Sequence, residues 1–587
     1  MSLIRGNVNA IQIVSSRRPV EEEYDEWPNY YGVPVMDVPT IHREVNNMMK
    51  LKSGRNLLLA AAAMLLVVQA IAMTQPTVAQ DRPTLRFGVN AGDLNTLDPH
   101  FASGTQDRTV VDMIFNGLVR FQPGNSNVIE ADIATEIPAP VMDGDTQVWT
   151  FTLREDVMCH PWSGGESYQL TADDVVYSLE KSANPDSSGY SADYRGMSIE
   201  KIDDFTVAIS LESALSETLF LPKVANYNGG FIVCAQAVED LGIDGFNTQP
   251  VGTGPFRFDS YTPQTSVNLV ANDEYFRGAP QLGGVEIRYM SDTASREIAL
   301  QSGELDAAAG LTEAQWVDRT NSEGNLIADV FGPGEVAFVT INVEHELLSD
   351  PLVRQAIAHA INLEEHQALY GSPVAEILSS VIPEPFMPGG LTQEEAEAAG
   401  AVFEYNPEGA RELLAEAGYP DGLTISVVTS EMAAYRSNYE VLQAELSDVG
   451  ITLEVEVVDH ATMHSQIREA VNPIVIYVAF RPNADVYLTQ FFFSDSIVVT
   501  GAAPVTNFSH YAAIDDLILQ ARTEIDPAVQ EELWKQASIQ IQTDVAAIPL
   551  HFQNQVYART ANVDYGHELV SVLALYPGID ETTTLSS

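Results

Sequence analysis

Val251-Gly252-Thr253-Gly254-Pro255-Phe256-Arg257-Phe258 is the stretch on which the reading of this chain turns. Two glycines and a proline packed so closely fit neither a helix interior nor a central strand, so the segment must be a turn. Gly252 and Gly254 permit positive φ or close backbone approach, and Pro255 fixes φ and removes a donor. Apolar alternation resumes at Phe256 and Phe258, so the turn feeds a strand. It reads as the point where a long chain re-enters its first sheet after an excursion. The residues before it then form an inserted subdomain, and those after it lead to a second lobe. A phosphate cradle would need a third glycine opening a helix; Pro-Phe-Arg-Phe follows instead.

A chain of 587 residues exceeds one ordinary core, and two or three domains are expected. Lys+Arg 29 against Asp+Glu 82 gives a formal charge of −53, dispersed along the chain. That surplus repels phosphates and anionic membrane surfaces, which argues against nucleic acid as a partner. The only cysteines, Cys159 and Cys234, either form one disulfide in an oxidising compartment or remain two buried thiols.

Lys50, Lys52 and Arg55 precede an uncharged, mostly apolar run from Leu57 to Ala72, and small residues follow at Thr77 and Ala79. This is the layout of a secretory signal, from Lys50 to Ala79, and the run is shorter than the ~20 residues a membrane span wants. Cleavage would release a chain beginning near Asp81; an uncleaved segment would anchor it in the inner membrane. Residues 1–47 are polar and of mixed charge, unlike the start of a signal, and Met48-Met49 offers an alternative start.

Beyond the signal, Thr84 to Asn90 alternates as a half-buried strand, and Thr109 to Leu118 reads as a helix. Gln147 to Leu153 and Phe205 to Leu211 read as strands on either side of a helix from Thr171 to Lys181, which Asp174 closes as a capping box. After the glycine turn come strands at Ser266 to Ala271 and Val285 to Tyr289, a helix from Thr293 to Ser302 with Gly303 beyond it, and a strand from Val336 to Asn342. Asp350-Pro351 and Asn406-Pro407 each open a helix with a cap followed by proline. Leu423 to Val428, Tyr435 to Val449, Ile451 to Val457, Ala461 to Ala470 and Ile474 to Val478 then alternate strand and helix, the pattern of a parallel sheet with crossover helices. The crevice of such a sheet lies at the carboxyl ends of its strands, which points to the loop after Val478. A helix from Pro527 to Thr543 and a strand from Ala547 to Phe552 lead back to the first lobe.

Chemistry-bearing motifs are weak. Ser178-Leu179-Glu180-Lys181 fits S-x-x-K without its companions, and no G-x-S-x-G elbow occurs. His460 and His464 have the spacing of zinc ligands, but Ala461 stands where a zinc protease places glutamate. Cys159-His160 lacks a second cluster at metal spacing. Binding is favoured over catalysis.

Several stretches appear in one order along the chain: Leu97-Asp98-Pro99; Leu170-Thr171-Ala172-Asp173-Asp174-Val175-Val176-Tyr177-Ser178-Leu179; Pro250 to Phe258; Gly303-Glu304-Leu305-Asp306; Asp350-Pro351-Leu352-Val353-Arg354-Gln355-Ala356-Ile357; and Ala417-Gly418-Tyr419-Pro420-Asp421-Gly422. As an ordered set they resemble the family 5 extracellular solute-binding proteins, the dipeptide- and oligopeptide-binding components of ABC importers. The resemblance implies an α/β, two-lobed periplasmic-binding-protein fold with an extra subdomain inserted in the first lobe and a hinge between lobes. It places lobe I at 81–335 with the insertion at about 122–248, lobe II at 336–545, and a return to lobe I over 546–587. Residues 1–47 form an extension and 48–80 the signal or anchor. The implied protein is a periplasmic monomer without cofactor or metal that performs no catalysis and hands a small solute to ABC permease subunits by hinge closure. The alternative is a membrane-anchored subunit of the same fold that binds a membrane complex.

Peptide-binding members of the family carry a tryptophan and, three residues on, an aspartate that meets the peptide ammonium. Tyr477 and Phe480 occupy those positions here, followed by Arg481, Asn483 and Asp485. A cation there opposes a free amino terminus and favours an anionic group. Asp485 either substitutes for the missing aspartate or caps a helix from Val486 through Phe493, and Arg481 either meets ligand or forms a structural salt bridge. Thr96, Gly252, Thr253, Tyr477, Phe480, Arg481, Asn483 and Asp485 are the expected ligand contacts. Peptides, opines, sugars, other amino compounds and anionic solutes remain open as cargo.

Overall fold

The computed structural model describes residues 82–586 with the exception of Pro385. The expectations for residues 1–47 and for the export segment lie outside this range. Among the described residues no helix is long and apolar enough to cross a membrane.

Strand Thr84–Val89, with Leu85 and Phe87 fully buried, forms the middle of lobe I. It pairs in parallel with Gly284–Tyr289 on one edge and Ala307–Ala309 on the other, and Ser266–Ala271 and Phe256–Thr262 extend the sheet antiparallel. The glycine turn enters this sheet through close approach and not through positive φ. A Cβ on Gly252 would stand 2.2 Å from the Ile114 carbonyl oxygen, and one on Gly254 would stand 2.5 Å from that of Met113. The Gly254 N–H donates to the Ile114 carbonyl at 2.8 Å, satisfying a carbonyl at the helix end. That helix is Thr105–Ile114, not 109–118; its end is set by a tertiary contact that local sequence does not display.

The insertion is built on a four-stranded antiparallel sheet in the order Val141–Asp143, Thr146–Thr152, Thr206–Leu211, Met197–Asp203. Helix Ala172–Ala183 starts with the capping box of Thr171 and Asp174. Its Lys181 reaches the buried Asp98 carboxylate at 2.8 and 3.0 Å and donates to His100 Nδ1 at 3.2 Å. Burial, and after it the Lys181 ammonium, push the His100 imidazole down to about 4, so Nε2–H of a neutral ring donates to the Phe231 carbonyl at 2.8 Å. Thus Leu97-Asp98-Pro99 and the S-x-x-K lysine serve one buried ion pair. Cys159 and Cys234 are joined by a disulfide with Cα atoms 6.0 Å apart and 75 positions of separation. Beside it, the His160 N–H donates to the Gly252 carbonyl at 2.8 Å and His160 Nε2 to the Gly254 carbonyl at 2.9 Å.

Lobe II departs from the expected parallel sheet. Leu423–Ser430 and Ile451–Val458 do pair in parallel, but only with each other. Ile474–Ala479 pairs antiparallel with Leu326–Ile341, a strand sixteen residues long that the sequence showed only in its second half. Asn472, just before the third strand, ties it to the parallel pair: its side chain donates to the Val428 carbonyl and accepts from the Val428 N–H. Val336 and Phe338 face one core and Ala337, Val339 and Ile341 another, so helices cover both faces. Asp350 and Asn406 cap helices Pro351–Ala360 and Pro407–Glu416 by accepting from the N–H groups of Leu352 and Gly409.

Gly254→Ala must force Cβ against helix backbone, and overpacking of this kind costs about 1–3 kcal/mol; urea denaturation will show that loss if close approach is the reason for glycine. Replacing Cys159 and Cys234 together with alanine will cost about 2–5 kcal/mol, as expected for releasing a long loop, and the same assay measures it.

Candidate ligand-binding cleft

Two long strands, Leu326–Ile341 and Ala547–Thr560, run antiparallel through both lobes. In lobe I, Ala307–Ala309 pairs with Tyr557, Ala558 and Arg559; in lobe II, Ile474–Ala479 pairs with Val336 through Ile341. Between these halves the register shifts: Phe331 faces Gln555, and the next rung is Glu335 with Gln553. Gly332-Pro333-Gly334 fills the gap. The ladder to the third strand ends at Val336 with Ala479, so Glu335 stands one residue beyond it. The carboxyl end of Ile474–Ala479 therefore points at the junction of the lobes.

Tyr477 is buried on the lobe II wall, its ring 5.2 Å from Phe508, 5.9 Å from Phe491 and 6.0 Å from His464. Phe480 is half-buried against the same aromatic cluster. Arg481 lies over the Phe491 ring at 4.8 Å, donates through Nη1 to the Phe480 carbonyl at 2.8 Å and through Nε to Gln490 Oε1. Among the described residues no carboxylate stands within ion-pair distance of it, so the structural salt bridge is not formed. Burial lowers the Arg481 pKa, and Tyr477 and Tyr487 counter that. Glu335 is accessible to solvent yet ringed by protein, and desolvation alone pushes its carboxyl up.

His460 and His464 sit beside this wall, Nε2 to Nε2 at 3.2 Å. His460 Nδ1 meets the Ser430 hydroxyl and His464 Nδ1 accepts from Arg468, and both rings pack on Tyr435. Among the described residues no group of three or more His, Cys, Asp or Glu could hold a metal ion.

Across the junction, a cavity of about 470 Å³ separates Arg195, Lys223 and Asn228 of the insertion from Asn483, Asp485 and Arg522 of lobe II. That is within the range of small-molecule sites. Asn483, not Asp485, caps the following helix, which is Ala484–Phe492: its side chain accepts from the Val486 N–H at 3.0 Å. Asp485 falls in the first turn and pairs with Arg522 Nε at 2.9 Å. Beside the cavity the insertion touches lobe II directly: Leu219 joins the lobe II core, and the buried Ser216 hydroxyl donates to Gln530 at 2.8 Å.

The remaining expected contacts are placed elsewhere. Gly252 and Thr253 are buried in lobe I, and the Thr253 hydroxyl donates to Asn116. Thr96 sits in the loop after the first strand, its hydroxyl accepting from the Asp98 N–H at 3.0 Å. Glu335 and Tyr435 escaped the sequence reading. The available signal was a lone carboxylate directly after Gly-Pro-Gly and before an uninterrupted apolar strand.

Two α/β lobes joined by a pair of strands, with a cleft where they meet, define a two-lobed solute-binding protein. The chain belongs to the bacterial extracellular solute-binding proteins, family 5, whose middle-region pattern matches residues 129–497. The binding protein MoaA from A. tumefaciens R10, solved with mannopinic acid, is similar with a TM-score of 0.70 and 39% identity, covering 86% of this chain and 100% of MoaA. The glutathione-binding protein GsiB of Salmonella paratyphi A is 25% identical over 502 residues, 83% of this chain and 92% of GsiB. The dipeptide-binding protein of Escherichia coli K12 is 26% identical over 478 residues, 76% of this chain and 85% of that protein.

Asn483→Ala removes the cap that aims the Arg481 loop into its helix and will cost about 1 kcal/mol, whereas Asp485→Asn, losing a partly exposed pair, will cost less; chemical denaturation of the two variants compares them.

Proposed function

We propose that this protein captures an amino-acid-derived solute of the mannopinic acid kind outside the cytoplasm and delivers it to the permease subunits of an ABC importer. The observation that carries the reading is the 39% identity to MoaA over the whole of that chain, well above the 25% and 26% to the glutathione- and dipeptide-binding relatives. The wall supports it. Where peptide-binding members of the family are expected to place a carboxylate for the ammonium, this chain has Phe480 followed by Arg481. Mannopinic acid, a secondary amine bearing carboxylates and a polyol chain, offers that guanidinium an anion and offers Tyr435 and Tyr477 apolar and hydroxylated surface.

The lobes close by rotation at the register shift between Phe331 and Glu335, where ladder hydrogen bonds are interrupted and motion disturbs least. The protein acts as a monomer without cofactor or bond-breaking step, and the Cys159–Cys234 disulfide suits an oxidising periplasm. Asn483 and Asp485 border the cavity and shape it.

Titration calorimetry with mannopinic acid, dialanine and glutathione tests this. Mannopinic acid will bind at about micromolar Kd or tighter, at least about tenfold more tightly than either peptide. Tighter binding of a peptide, or no binding of any of the three, overturns the assignment.

A further inference from the structure

A second cavity, of about 100 Å³, lies within lobe I. Its walls come from the end of helix Thr105–Ile114, the hairpin of Val119–Gln122 with Asn125–Ala131, and residues 567–581 of the C-terminal segment. Among the described residues none of lobe II lines it, and it shares only Tyr227 with the interlobe cavity. Two buried polar atoms of its lining residues have no hydrogen-bond partner among the described residues: Glu581 Oε2 and His567 Nδ1. The His567 side chain is 9% exposed and that of Glu581 11%. His567 donates its Nε2–H to the Pro577 carbonyl at 2.9 Å, which leaves Nδ1 of the neutral ring as an acceptor. The Asp580 carboxylate is 3.8 Å from that Nδ1, beyond hydrogen-bond reach. Glu581 Oε1 faces Arg120, whose Nη1 is 3.8 Å away and whose Nε already donates to Glu130 at 2.7 Å.

A buried acceptor left unpaired carries its desolvation penalty in full, so two on the wall of one cavity call for a donor that enters it. The charge of the wall says which kind. Asp112, Asp580 and Glu581 line it against a single guanidinium, that of Arg120, so an anion is repelled. Phe115, Phe121, Tyr227 and Tyr576 supply aromatic surface. Carboxylates and rings together suit an alkylammonium, held by charge-assisted hydrogen bonds at its head and by cation–π attraction and apolar contact along its chain. Size narrows the class further: a cavity of about 150 Å³ admits benzene, so this one takes about four or five non-hydrogen atoms. The wall is also set in advance. Val570 and Ser571 donate their N–H groups to the Gly124 carbonyl at 2.8 and 2.9 Å, and a Cβ on Gly124 would stand 1.9 Å from the Glu568 carbonyl oxygen. Exposed Gln122, at the hairpin turn, marks the rim.

We propose that this cavity is a second ligand site, confined to lobe I, for a small primary alkylammonium: Glu581 and His567 receive hydrogens of the ammonium group, and Phe115, Phe121 and Tyr576 enclose the alkyl chain. The site goes beyond the solute reading and does not depend on which molecule the interlobe cleft takes. Its wall leads to the crossing strands, because the Gly332 N–H donates to the Val570 carbonyl at 2.9 Å and the Val572 N–H to the Gly332 carbonyl at 2.7 Å. An occupant therefore rests on the segment that braces the register shift.

The test uses the whole protein and three probes of equal size: n-propylamine, a cation at neutral pH; 1-propanol, its uncharged counterpart; and acetate, an anion. Crystals soaked in propylamine will show it in the lobe I cavity with its nitrogen in hydrogen-bond reach of Glu581. Titration followed by NMR will give saturable binding with a Kd of about millimolar or tighter, as its few atoms allow, and propanol and acetate will bind at least about tenfold more weakly. Since a formal charge of −53 gathers cations loosely over the whole surface, variants must separate site from surface. Glu581→Gln will weaken propylammonium by about 10- to 100-fold, the worth of a charged hydrogen bond, with the unliganded melting temperature unchanged or raised. Ala574→Leu, which fills the cavity from its buried wall, will abolish binding, and it decides should Glu581→Gln not fold. Density only between the lobes, density in soaked crystals without saturable binding in solution, equal binding of propanol or acetate, or unchanged affinity in the folded variants overturns the site. Each of these leaves the solute-binding reading as it stands, since that reading is tested by its own ligands.

Discussion

The backbone contact between the Gly252–Gly254 turn and the end of helix Thr105–Ile114 is the constraint on which lobe I depends. Three separate segments are fastened to those few residues. The helix end is closed by the Gly254 N–H; His160 holds both glycine carbonyls; Asn272 donates to Gly254 at 3.0 Å; and Thr253 reaches Asn116. The disulfide lies one residue from His160 and welds the start of helix Ala235–Phe246 to the same point. Since the insertion leaves and rejoins the sheet here, its attachment is rigid, and the face it presents to lobe II is fixed relative to the first sheet.

Lobe II is attached differently. Two crossing strands of one continuous sheet carry the chain between the lobes, and their ladder is interrupted where the lobes meet. The same interruption that loosens the ladder exposes Glu335, because a residue in the shifted register has no third strand beside it. Structure and site are thus one feature: ending Ile474–Ala479 at the rung of Val336 leaves both the cleft and the groups that line it. Packing on either side of that strand is dense, with Tyr477, Phe491 and Phe508 fixing the stem from which Arg481 projects.

Much of this was legible in the sequence, and for identifiable reasons. Proline-led helices at Pro351 and Pro407, the Thr171–Asp174 box and the strands of lobe I are written in local patterns of caps and alternation, and they occur where those patterns place them. The family and the two-lobed fold followed from ordered motifs. What local pattern could not show is partnership between distant strands. Gly332-Pro333-Gly334 looks like an end, yet the strand continues across it because Ala547–Thr560 pairs on both sides. Ile474–Ala479 looks like the third strand of a parallel sheet, yet it is claimed by the crossing strand. Asp485 looks like a cap because aspartate commonly precedes helices, but Asn483, two residues earlier and in extended conformation, took that role first. Glu335 carried no motif at all; only the register reveals its position.

The seating of Leu219 in the lobe II core, beside the Ser216–Gln530 hydrogen bond, has a thermodynamic price that falls on opening. Parting the lobes on that side returns a leucine to water, which costs about 1.5–3 kcal/mol, a bias of about ten- to a hundredfold toward the shut arrangement. That contact favours, by this amount alone, the arrangement in which the insertion and lobe II meet. Grip and choice become separable quantities, one set by an apolar latch at the rim and the other by the polar groups at the floor.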